Sequence, residues 1–127
     1  MWKLYDYYSE RGVNEIAAWT RSFQKPQKTK LRVRLDMLAQ YGMDLLPQLL
    51  AGTGIPHIYK LKVHGNVQLR PLLCRGPFDN DEEFTILLGA VEVNWVLQPE
   101  GAAEMAALIR EEIIHDHRRR VEHERII

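Results

Sequence analysis

The sequence holds a single cysteine, Cys74, so no disulfide can form within the chain. A chain of this length can bury a core without one, and the lack of a cysteine framework favours a reducing compartment. No apolar run approaches the roughly 20 residues that a membrane-spanning helix needs. The N-terminus, MWKLYDYYSE, lacks the charged-then-apolar plan of a secretory leader. The expectation is a cytoplasmic protein without a membrane partner. A glycine-rich phosphate loop and a G-x-S-x-G elbow are also missing. With no repeat, no low-complexity tract and no linker, the 127 residues read as one domain, 1–127, with a charged tail from about residue 115.

Net charge is absent too, with 17 basic residues against 17 acidic ones. Their distribution is uneven. Arg21, Lys25, Lys28, Lys30, Arg32 and Arg34 occupy the stretch from Ile16 to Leu35 without an acid. Lys60, Lys62, Arg70 and Arg75 do the same between Leu45 and Phe78, and the acids collect from Asp79 onward. A neutral chain divided in this way can present a basic face locally.

Trp2 to Tyr8 is rich in aromatics and predicts a first strand. Val13, Ile16, Ala17, Thr20 and Phe23 recur at helical spacing. Pro26 interrupts that helix or opens a second one, which runs to about Tyr41 with Leu31, Leu35 and Leu38 on one face and Gly42 as its cap. Leu45 to Leu50 reads as a helical turn. Ile58 to Val63 alternates as a strand with one apolar face, His64-Gly65-Asn66 supplies a turn, and Val67 to Leu73 returns, with Pro71 at an edge or bulge. Phe84 to Val91 is almost continuously apolar and predicts a central buried strand. A last helix runs from near Glu100 to about His115. The order β-α-α-β-β-β-α gives an α+β chain with an N-terminal helical hairpin.

Three stretches in this order carry a family likeness: Ile58-Tyr59-Lys60-Leu61-Lys62-Val63, Gln68-Leu69-Arg70-Pro71-Leu72-Leu73, and Ile86-Leu87-Leu88-Gly89-Ala90 followed by Pro99 and an alanine-rich helix. Together they resemble the RelE/HigB toxin superfamily, most closely its phage-derived HigB-like branch, over roughly residues 55–115. The resemblance implies a compact antiparallel sheet packed by two N-terminal helices. It also implies the toxin of a type II toxin–antitoxin module, paired with a cognate antitoxin, often of helix-turn-helix type. Many such toxins cleave mRNA, frequently on the ribosome, without a metal or other cofactor.

RNA cleavage of this kind needs proton transfer at the 2′-hydroxyl and at the leaving 5′-oxygen, and fixed cations on the phosphate. If the hairpin around Gly65 forms, Lys60 and Lys62 share a face and Arg70 can meet them across the pair. Lys62 and Arg70 are therefore expected at the phosphate, with Arg75 as a further contact, since a guanidinium is planar and permanently charged. Lys62 stands where the family pattern has arginine. His64 is the nearest imidazole and a candidate acid or base. Glu92 stands where active relatives carry a cation or histidine, which reverses the charge there; it is itself a candidate base. Lys60 is expected to bind RNA, as are Lys28 and Arg32, an i,i+4 pair on the second helix that parallels Lys30 and Arg34. Each of these cations could equally belong to an ordinary solvated face. The tail histidines His115, His117 and His123 match no metal-ligand spacing. Trp2, Trp19 and Trp95 read as core or interface aromatics. The alternative to a nuclease is a non-catalytic or degenerate binding module on the same fold, inhibiting a host protein such as gyrase.

Overall fold

Aromatic residues start the first strand where the pattern predicts it, but the chain then builds more strands than the pattern shows. A computed structural model describes residues 1–127. The elements are β1 (Lys3–Tyr7), α1 (Glu15–Arg21), α2 (Lys25–Tyr41), a 3₁₀ turn (Gly42–Leu45), β2 (Leu50–Gly52), β3 (Tyr59–Leu61), β4 (Gln68–Leu69) and β5 (Leu72–Arg75). They continue with β6 (Glu83–Leu88), β7 (Val91–Val93), β8 (Val96–Gln98), α3 (Ala102–His115), a second 3₁₀ turn (His117–Arg119) and β9 (Arg120–Glu122). Six strands form one sheet in the order β2-β3-β5-β6-β1-β9, and β4, β7 and β8 form a second sheet. No helix is long and apolar enough to cross a membrane.

The larger sheet is mixed, which corrects the antiparallel expectation. β1 runs parallel to β6, while the other neighbouring pairs are antiparallel. The expected strand Val67–Leu73 is divided at Arg70-Pro71. Pro71 has no N–H to donate to a ladder, so the chain changes partners there. β4 pairs with β7, and β5 pairs with β3 and β6.

Helices cover both faces of the larger sheet. Period-two alternation sends Leu73, Phe84 and Ile86 to one side, where Ile16 of α1 and Leu31, Leu35 and Leu38 of α2 bury them. Leu72, Cys74 and Leu87 point the other way, under Ala102, Ala103, Ala106 and Ile113 of α3. Burial pushes the Cys74 thiol up to about 12, so it stays protonated and packs as an apolar group.

Local signals explain the helix ends. The Asn14 side chain accepts the Ala17 N–H at 2.9 Å and caps α1. Pro26 lies in the first turn of α2. At the other end Gly42 takes φ +56°, and a Cβ there would lie 2.1 Å from Trp2 Nε1. Trp2 stacks on Phe84 at 4.4 Å between ring centroids, which ties β1, β6 and the end of α2 together. Trp95 is no core aromatic. It is 93% exposed at the two-residue turn between β7 and β8, where Asn94 and Trp95 both take positive φ, the geometry a tight hairpin demands.

Candidate nucleic-acid interface

The hairpin around Gly65 forms, but it closes as a narrow bridge. Val63 and Leu69 exchange backbone hydrogen bonds of 3.1 Å each way. Next to the bridge, the Arg70 N–H donates to the Ala90 carbonyl at 2.8 Å. That bond sits where the chain passes from one sheet to the other, and it leaves Arg70 buried, 4% exposed.

Four of the expected residues join in one line of polar contacts. The His64 ring Nδ1 meets Gln68 Oε1 at 3.3 Å, and Arg70 Nη2 donates to the same oxygen at 3.2 Å. Arg70 Nη2 also lies 3.6 Å from Glu92 Oε2, and Lys60 Nζ donates to Glu92 Oε1 at 3.2 Å. Register explains the meeting, because Gln68 stands directly opposite Glu92 in the β4–β7 pair. Arg70 therefore does not stand open as a ready phosphate clamp. Its Nη1 donates to the Leu69 carbonyl at 2.9 Å, and its Nη2 is divided between Gln68 and Glu92.

Sequence reasoning missed Arg34 of α2 as part of this region. Its Nη1 donates to the Lys62 carbonyl. Burial and the neighbouring Arg70 guanidinium both push the pKa of Arg34 down. The Nε atoms of Arg34 and Arg70 are buried without a hydrogen-bond partner, each a cost of about 1–3 kcal/mol. Lys30 lies on the same side, its Nζ 3.0 Å from where a Cβ on Gly65 would sit. The i,i+4 spacing of α2 shows two basic stripes. Only contact with the hairpin tells them apart, and it selects Lys30 and Arg34.

The other expected residues lie elsewhere. Lys62 is half-buried in the hairpin, without an ion pair. Arg75 is at the far end of β5, donating to the Asn80 carbonyl at 2.8 Å and pairing with Asp81 at 3.2 Å. Lys28 lines a cleft with Arg21 and Glu124. Arg32 faces a pocket with Lys3 and His123. Neither turns toward the hairpin. The tail histidines are dispersed: His115 meets its own helix at the Glu111 carbonyl, His117 packs on Phe78, and His123 meets Asp6.

The hairpin region thus holds Lys30, Arg34, Lys60, Lys62 and Arg70, with one carboxylate, Glu92, pairing with two of them. Two adjacent guanidiniums with a single carboxylate are short of negative charge, and an oxyanion such as a phosphate can supply it. No family model, no curated protein and no solved structure matches the chain.

Proposed function

We propose that this chain is a RelE/HigB-like toxin that acts on RNA, the endoribonuclease half of a two-protein module held in check by a cognate antitoxin. The observation that carries this reading is the convergence of cations from α2, the Gly65 hairpin and Arg70 on one short segment, with Glu92 as their single carboxylate partner. In this reading Glu92 occupies the place of a substrate phosphate in the free protein. An incoming phosphate competes for Lys60 and Arg70, while Lys62, which has no ion pair, adds attraction from the start.

The test is induction of the wild type in cells with mapping of transcript 5′ ends, alongside the Lys62→Ala and Lys60→Ala variants. New 5′ ends are expected with the wild type and far fewer with the variants. A well-expressed wild type that yields none overturns the reading.

A second reading, a binding module without catalysis, draws on the same ion pairs, since Glu92 offsets two of the cations a nuclease would use. It predicts growth inhibition that is indifferent to Lys60→Ala and Lys62→Ala.

A further inference from the structure

Across the larger sheet from the hairpin, the charged tail builds a second polar site. β9 pairs antiparallel with β1, Tyr5 opposite Glu122 and Asp6 opposite Val121. Asp6 is fully buried, and both of its oxygens are engaged. Oδ1 accepts from His123 Nδ1 at 2.8 Å, while Oδ2 accepts from Asn14 Nδ2 and from the Glu124 N–H, each at 3.0 Å. A carboxylate on Nδ1 fixes the imidazole's orientation and leaves Nε2 as the proton acceptor. Nε2 makes no hydrogen bond within the protein and is not a buried orphan, so it is open to solvent.

His123 lines a cavity of about 350 Å³ between α2, β1 and the tail. Lys3 and Arg32 also line it, and neither has an ion-pair partner; Arg125, on the rim, is paired with Asp36 at 3.5 Å. Glu122 completes the polar wall. The cavity holds no serine, threonine or cysteine, and a ligand that carries its own hydroxyl beside a phosphate needs only a proton acceptor and cations from the protein.

The geometry points to this cavity as a second site, which binds a nucleotide phosphate through Lys3 and Arg32 and uses His123 as its proton acceptor, with Asp6 as the positioning residue. The proposal rests on the RNA reading for its substrate, because RNA brings its own nucleophile. The 2′-hydroxyl gives its proton to His123 Nε2, and O2′ forms a bond to the adjacent phosphorus as the P–O5′ bond breaks. O5′ leaves with the electron pair and takes a proton from water, and the hydroxide so formed is neutralised by the imidazolium. The products are a 2′,3′-cyclic phosphate and a 5′-hydroxyl. Lys3 and Arg32 steady the charge that grows on the non-bridging oxygens.

Two measurements on the full chain test this. The first follows the His123 ring resonances by NMR during titration with uridine 3′-phosphate. A saturable shift is expected, about tenfold weaker in binding for Arg32→Ala. The second compares RNA cleavage by the wild type and His123→Asn. The asparagine amide can keep the bond to Asp6 but carries no acceptor at the Nε2 position. About a 100-fold or greater loss of rate is expected, with RNA affinity and melting temperature unchanged. The site is overturned if the nucleotide leaves the His123 resonances unmoved. The proton-transfer role is overturned if His123→Asn cleaves like the wild type, an outcome that leaves the endoribonuclease reading intact. A wild type that shifts with the nucleotide but cleaves no RNA removes both the endoribonuclease reading and the proton-transfer role.

Discussion

Beside the Gly65 hairpin, two of five cations share the one carboxylate, and two guanidinium Nε atoms are buried without a partner. At the β9 edge the proportions reverse. One buried carboxylate, Asp6, is served by three donors from the loop before α1 and from the tail. The β3 and β1 strands are three sheet spacings apart, about 14 Å, so one phosphate cannot touch both regions. Positive charge in surplus suits binding of a polyanion; a satisfied carboxylate behind an imidazole suits orientation of a proton acceptor. A basic patch in a sequence therefore locates attraction more readily than it locates chemistry.

The largest effect is expected at Asp6. Asp6→Ala strands the Asn14 amide, the Glu124 N–H and His123 together. We expect a loss of about 3 kcal/mol, from the cost of leaving buried donors unpaired, read as a lower urea midpoint at unchanged slope. The tail should also lose amide-exchange protection at His123 and Glu124 before the rest of the chain. Uniform loss of protection across both sheets would mean that the tail is not the element Asp6 holds.

Arg70→Met asks the complementary question of the hairpin. It keeps much of the buried stem volume and removes the guanidinium beside Arg34. The Leu69 carbonyl loses a donor and Glu92 loses one of its two cations, but the repulsion felt by Arg34 is relieved. These terms oppose each other, so the expected net loss is small, about 1 kcal/mol, while RNA affinity falls. A loss as large as that of Asp6→Ala would show the cluster to be a structural ion-pair network rather than an interface short of anions.

Glu92→Gln should act in the opposite sense on binding. It frees Lys60 and Arg70 without changing side-chain shape, so RNA affinity rises about fivefold at low salt, equivalent to about 1 kcal/mol for a partly exposed ion pair. Stability changes by less than that. Unchanged or weaker RNA binding in a filter or fluorescence assay would remove Glu92 as a competitor for the phosphate.

The two regions also differ in how much of them the sequence discloses. The hairpin is local: Lys60, Lys62, His64 and Gly65 lie within six positions, and strand alternation plus turn residues suffice to find it. Pro26 and Gly42 mark the ends of α2 for the same reason. What local pattern cannot carry is pairing between distant segments. The parallel match of β1 with β6 joins Lys3 to Glu83. The tail HDHRRRVEHERII has the composition of a solvated end, yet Arg120 pairs with buried Glu83 and lies over the Tyr5 ring, and Ile126 is buried. Its order comes from partners 37 to 118 residues away, and with it comes the Asp6–His123 contact. Likewise the choice between the Lys28/Arg32 and Lys30/Arg34 stripes depends on where the hairpin docks against α2.

That last choice yields the smallest expected effect and the sharpest discrimination. A lysine that meets a phosphate releases about one counterion, so its removal lowers the slope of log affinity against log salt by about one. Lys62→Ala should do this, because Lys62 belongs to the hairpin and carries no compensating acid. Lys28→Ala should leave the slope nearly unchanged, because Lys28 lines the cleft with Arg21 and Glu124, facing away from the hairpin. Both residues are half-buried surface lysines, so neither substitution should move the melting temperature by more than a degree or two. Equal slope changes from the two variants would mean that Lys28 also meets a phosphate in its cleft with Arg21 and Glu124, and that the RNA track extends beyond the hairpin and the Arg32 cavity.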